Sequence, residues 1–232
     1  MVVDTALATF DYLKHFIPQA DELEIPLVEM VINAGSRYIA DSVLGRPVVK
    51  KSYLEIHDYT STIRVKKDHV LSVTSVVYDP NRLFTDGEDL EYWWEKPSRN
   101  ICFLSSYIPY YARKTVEVQY VAGRYRLDHY GDDEPLVPLD GMVWHKAHEN
   151  EFLVYDGAEN EWTAVDQDDV VSQACVEALV EAVMYNKQRI LAQLVGHRSK
   201  TGGQVSNYST QNMEIKMPEN IREIVTGEVK LL

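Results

Sequence analysis

Apolar positions change their period along this chain, and the changes mark out its elements. From Asp21 to Leu44 they recur with helical spacing: Leu23, Leu27, Val28, Val31, Ala34, Tyr38, Ile39 and Val43 share one stripe, while Glu24, Glu29, Asn33, Arg37 and Asp41 lie mostly off it. Pro26 is tolerated only in a first turn, which predicts a start near Glu24. Gly45 is placed to cap this helix and Pro47 to stop it continuing. Ahead of it, Leu7, Phe10, Leu13 and Ile17 are spaced for one face of a short helix from Ala6 to Phe16, ended by Pro18.

Between Val48 and Tyr125 the period falls to two. Ser52–Tyr59, Thr62–Val65, Val70–Tyr78, Leu90–Glu95, Asn100–Leu104 and Thr115–Val121 are predicted strands, rich in Val, Ile, Tyr, Trp and Phe. Asp79-Pro80-Asn81, Asp86-Gly87 and Lys96-Pro97-Ser98 supply turns, and short strands in series are expected to be antiparallel. Val116, Val118 and Tyr120 alternate on one side of the last strand, which stops at Gly123. Val137 to Val165 reads as an added hairpin, Phe152–Tyr155 turning at Asp156-Gly157 and returning through Trp162–Val165.

A second long helix is predicted from Val170 to about Val195, capped by Asp168 or Asp169 and ended by Gly196. Its apolar face is Val171, Ala174, Cys175, Ala178, Leu179, Ala182, Tyr185, Ile190 and Leu194, and the alanines permit close helix approach. Residues 199–212 read as a polar flexible linker. In the tail, 213–232, Pro218 opens a short apolar helix too small to stand alone, so it is expected to dock on something.

Composition adds boundaries. The chain has 232 residues, 45% hydrophobic and 25% charged, enough for a sizeable core and typical of a globular protein. No apolar run approaches the roughly 18–20 residues of a bilayer span. The start, Met1-Val-Val-Asp-Thr, lacks the basic and apolar regions of a signal peptide, so the protein is expected to stay where it is made. Cys102 and Cys175 sit in apolar stretches without a CxxC neighbour, which suits buried free thiols. Charge is concentrated: 128–169 holds 13 acidic residues against Lys146 alone, a balance of −12 in a chain of −13. That acidity argues against tight binding to phosphate backbones, and suits either a solvated face or a surface that DNA passes without sticking.

Chemistry-bearing patterns are sparse. No GxSxG, P-loop, GxGxxG or HExxH occurs. Asp132, Asp133 and Glu134 with His129 offer hard oxygens for a divalent ion, but an acidic loop tip explains them equally well. His145 and His148 fall on opposite faces of a strand, which argues against a shared zinc. Tyr92-Trp93-Trp94, with Tyr107, Tyr110 and Tyr111, suits a stacking platform or, more commonly, core and interface. Neither cofactor nor metal is expected.

Several of these stretches together resemble the phage head–tail connector family, also called adaptor, neck or head-completion proteins. Tyr38-Ile-Ala-Asp-Ser-Val-Leu-Gly45-Arg46-Pro47 is similar to that family's helix closing in a Gly-Arg pair, and Val70–Val77 to its valine-rich ridge. Val116–Tyr125 is similar to its V-x-V-x-Y-x-A-G-Y strand, with Arg124 inserted, and Val170–Arg189 to the helix that follows. The acidic segment over 128–168, about forty residues long, departs from compact members. The resemblance implies an α+β fold: a small helical bundle of two long helices plus short ones, with inserted antiparallel strands and hairpins and an extended C-terminal tail. Its connector domain would cover 1–198, followed by the linker and docking tail.

The implied function is structural, not enzymatic. The protein would be a virion component at the head–tail interface, made in the host cytoplasm, and would form a homo-oligomeric ring, usually dodecameric, under the portal. Implied partners are sister copies, the portal protein and the next neck, stopper or tail protein, with genomic DNA passing unbound. Free protein is expected as a monomer at moderate concentration. Family members use the C-terminal segment to reach the portal or a neighbour, which assigns that role here to Ile221, Ile224, Val225, Val229 and Leu231. Asp132, Asp133 and Glu134 would face the lumen or the outer rim. The alternative from another class is an enzyme or carbohydrate-binding module using the aromatic strands and acidic loop.

Overall fold

Valine-rich alternation and helical stripes both find their places in the computed structural model, which describes residues 5–20, 23–58, 60–78, 83–84, 92–96, 98–103, 115–198 and 215–229. The chain divides into two units, one made of 1–48 with 125–232 and the other of 49–124.

In the first unit, helix α1 (Phe10–Leu13) is far shorter than the predicted 6–16. Residues 7–9 are extended instead, because they pair with Leu127: Thr9 N donates to Leu127 O at 2.9 Å and Leu127 N to Leu7 O at 3.2 Å. Thr9 then caps α1, its hydroxyl accepting from Tyr12 N at 3.3 Å. Helix α2 (Ile25–Tyr38) begins with Pro26 in its first turn and runs on as a π-helical segment, Ile39–Val43. There Leu44 N bonds Ile39 O and Arg46 N bonds Ala40 O, and Gly45 takes φ 64°.

Strands β8 (His129–Tyr130), β9 (Val143–Lys146), β10 (Glu151–Asp156) and β11 (Glu161–Val165) form one sheet in the order β11-β10-β9-β8. The β8–β9 pair is parallel, contrary to the all-antiparallel expectation, because the connection of 131–142 is long enough to bring the chain back in the same sense. Helix α3 (Gln173–Arg198) starts after a 3₁₀ turn at Gln167–Asp169 and continues past Gly196. Helix α4 is Ile221–Val229. Helices α2 and α3 approach closely where Gly35 lies against Leu179: a Cβ on Gly35 would sit 2.9 Å from Leu179 Cδ2.

The second unit holds β1 (Lys51–Asp58), β3 (Val70–Tyr78), β4 (Leu83–Phe84) and β7 (Thr115–Ala122) in the order β1-β7-β3-β4, and β2 (Thr62–Arg64), β5 (Tyr92–Trp93) and β6 (Asn100–Phe103) in the order β2-β6-β5. One core joins the two sheets: Ile63, Val65, Val70, Val76, Tyr92, Ile101, Val116, Val118, Tyr120 and Ala122. Gly123 closes β7 at φ 106°, where a Cβ would meet Val49 O at 2.7 Å. The glycine is therefore required twice, for its dihedral and for the close backbone beside it.

These elements overturn the expected helical bundle with hairpin insertions and an extended tail. Among the described residues there are three sheets and only four α-helices, of which α1 has four residues. The physical reason lies in 128–168: its apolar positions Val143, Trp144 and Phe152 are buried as parts of a sheet with its own core-facing side, so the segment is architecture. The tail from 215 is likewise folded, as α4 packed on α3. Tyr185, expected on the apolar face of α3, is 51% exposed, and Asn186 takes the buried place beside it. No helix of the structure, among the described residues, is long and apolar enough to cross a membrane.

Candidate functional site

The acidic segment does not gather its carboxylates. Asp132 Oδ1 accepts from His148 N at 2.7 Å, tying down the turn after β9, and Glu134 Oε1 accepts from the Trp162 indole N–H at 2.8 Å. His129 turns away to Asp11, its Nδ1 lying 2.8 Å from Asp11 Oδ2. Asp133 is exposed. The side chains nominated together as metal ligands thus serve different partners, and His145 lies in β9 while His148 lies in the turn beyond it.

Beside these acids the chain exposes an apolar loop. Leu136 is 99% exposed, Val137 76% and Leu139 69%. The loop is anchored on both sides. Pro135 is buried, Met142 N bonds Leu139 O, Gly141 N bonds Tyr155 O, and Asp140 accepts from Gly157 N at 3.0 Å. Three neighbouring aliphatic side chains held in water on a pinned loop form the kind of surface that another protein covers. The sequence contains the segment, Pro135-Leu-Val-Pro-Leu139, but periodicity gave it no role because a loop has no face.

Where α1 meets this sheet, aromatic and imidazole rings pack together. Tyr12 Oη lies 3.0 Å from His145 Nδ1, and His145 Nε2 lies 3.1 Å from Asn150 Oδ1. An amide oxygen only accepts, so Nε2 carries the proton and Nδ1 accepts from the tyrosine. Phe152 stacks on the imidazole at 4.2 Å between centroids, and Tyr130 meets it edge-on at 5.1 Å. Burial pushes the His145 pKa down against the opposing effect of its hydrogen bond to Asn150, and burial likewise lowers His15. Burial raises Tyr12, helped by Tyr130. At Asp11 burial acts upward, yet hydrogen bonds from Lys14 and His129 hold its carboxyl below the ordinary range. The arrangement joins elements more than 130 residues apart, which no local pattern reveals.

In the 49–124 unit a second polar cluster centres on Glu55. Lys66 N donates to both of its carboxylate oxygens, at 3.2 and 3.1 Å, His57 Nε2 lies 2.9 Å away, and the Tyr120 hydroxyl donates to Oε1. The buried tyrosine is raised above its ordinary pKa, by burial first and by Glu55 next. This carboxylate pins the 65–69 turn to β1 and β7 and is a structural clamp. The aromatic run divides between roles: Tyr92 is core, Trp94 donates to Ser98 O at 2.7 Å, and Trp93 is 48% exposed. Tyr107, Tyr110 and Tyr111 lie outside the described residues.

The tail residues assigned to docking also divide. Ile221 is fully buried and Val225 is 2% exposed, both within their own subunit; Ile224 is half-buried. The Val229 side chain and Leu231 lie outside the described residues, as do the turns at 79–81 and 86–87 and the linker of 199–212. Asn186 on α3, fully buried, holds the approach to α4: Nδ2 donates to Ala182 O and to Lys216 O, both at 2.8 Å, and Oδ1 accepts from Lys216 N at 3.3 Å. A lone polar residue on an otherwise apolar helical face was the available signal for it.

No family model matches this chain and no curated protein sequence is similar to it.

Proposed function

We propose that this chain is a structural subunit of a tailed-phage head–tail connector, a ring-forming adaptor that sits under the portal, extends the DNA channel and joins the head to the neck or tail. The observation that carries the reading is the pinned apolar loop with Leu136, Val137 and Leu139 in water amid the acidic segment, a surface made for protein contact. The stretches 38–47 and 116–125 support it by their resemblance to the connector family, and Gly123 occupies a position there that only glycine fills without strain. The reading does not depend on a helical bundle. It requires no chemical step: partners are sister copies, the portal and the next neck component, and DNA passes an acidic surface without being held.

Mixing the purified protein with portal-bearing particles and imaging them by electron microscopy tests the reading. Wild type should add a ring at the portal vertex. Replacing Leu136, Val137 and Leu139 with Ser should strip most of that attachment while leaving the melting temperature within a few degrees, since the three side chains contribute little to the folded core. Particles that never acquire a ring from wild-type protein would refute the assignment.

A further inference from the structure

We propose that β1 is a pairing edge, and that what covers it is β1 of a second copy, joined antiparallel about a two-fold axis through Leu54. Strand β1 stands at the end of the β1-β7-β3-β4 order, and among the described residues no strand pairs with its other side. It is eight residues long, without proline, and its register with β7 has no bulge; of the devices that blunt an edge it carries only charge, Glu55 on the inner face and Lys51 and Asp58 at its ends. Its outward-facing positions are Ser52, Leu54, Ile56 and Asp58, and among them Leu54 is 64% and Ile56 60% exposed. A row of backbone donors and acceptors that no described strand pairs, beside exposed aliphatics, is a template for another strand.

Side-chain parity and charge select a second copy and its register. A one-residue slip would set outward residues against inward ones, so the axis must pass through a residue and not between two. Centred on Glu55, the pair would oppose two carboxylates; centred on Ile56, it would set Leu54 against Asp58. Centred on Leu54, it places Leu54 on Leu54 and Ile56 opposite Ser52, with Ile56 diagonal to the partner's Leu54. It also brings Asp58 across from Lys50 at each end, and no two like charges directly oppose. Centred on Tyr53, it would set Ile56 against Lys50 and Asp58 against Val48, so of these registers the one centred on Leu54 best matches both the exposed aliphatics and the end charges. The pair is isologous, whereas a ring uses heterologous contacts, so it is a state of the free protein independent of the connector reading.

Sedimentation from micromolar to millimolar concentration should show wild type passing from monomer to dimer. Leu54→Lys, which sets two ammonium groups on the axis, should weaken that association by about tenfold or more with an unchanged melting curve. The register is read by crosslinking in a Cys102→Ser background, with Cys175 buried. Leu54→Cys should form a covalent dimer rapidly and Ile56→Cys alone slowly, while a mixture of Ser52→Cys and Ile56→Cys should yield the heterodimer. A wild type that stays monomeric throughout, or an Ile56→Cys protein that crosslinks as fast as Leu54→Cys, overturns the proposal.

Discussion

Gly123 and His145 show how single residues fix this structure for different reasons. Gly123→Ala would strain the φ of 106° and push a methyl into the Val49 carbonyl, which as backbone cannot swing aside. The expected loss is about 3 kcal/mol or more, measurable by urea unfolding. Tyr120→Phe would leave the buried Glu55 carboxylate one donor short and should cost about 1–2 kcal/mol. His145 carries a pH dependence. Its folded pKa lies below the ordinary 6.5, so below that pH the unfolded chain binds more protons and stability falls as the pH falls. His15 acts in the same sense. Asp11, held below its ordinary 3.8, adds a second loss as the pH drops under that value. Thermal midpoints measured from pH 8 to 5 should decline, and His145→Gln should flatten part of that slope.

At the scale of elements, helix α4 buries Ile221 and Val225, and one side chain, Asn186, ties down the segment that leads into it. Asn186→Ala would release Lys216 N and O, costing about 1–2 kcal/mol, and hydrogen exchange over 215–229 should quicken while β9 and β10 stay protected. Helix α2, the strand Val70–Tyr78 and the strand ending at Gly123 were legible, because a stripe or an alternation survives in any context where one face is buried. Helix α1 was not: residues 7–9 carry helical spacing, yet their backbone bonds go to Leu127, more than a hundred residues away. The 128–168 segment was legible as strands but not as a four-stranded sheet, since its two-residue strand β8 is too short to leave a pattern.

Taken whole, the 49–124 unit begins and ends at neighbouring points: Lys50 N donates to Arg124 O at 2.7 Å. A unit whose ends meet can be removed without stretching what remains. Replacing 49–124 by a short Gly-Ser linker should therefore leave 1–48 with 125–232 folded, with its helical circular dichroism and cooperative melting retained. The charge follows the same division. The 49–124 unit holds eleven Lys and Arg against ten Asp and Glu, a balance of +1, so the remainder carries −14 and all of the chain's excess acidity. Solvation of that remainder is what the 128–169 acids supply, and the apolar loop at 136–139 interrupts it.

The amino-acid order alone determined where the apolar stripes and alternations lie, where proline and glycine interrupt them, and where the charge collects. These are properties of short stretches, and burial of one face is enough to make them visible. Only the tertiary structure decided that Asp11 meets His129, that Tyr12 meets His145, that Asn186 binds Lys216, and that Ile221 and Val225 turn inward while Leu54, Ile56 and Leu136 face water. Each of those outcomes depends on which distant backbone comes alongside, and a hydrogen-bonding or apolar side chain carries no local mark of the partner it will find.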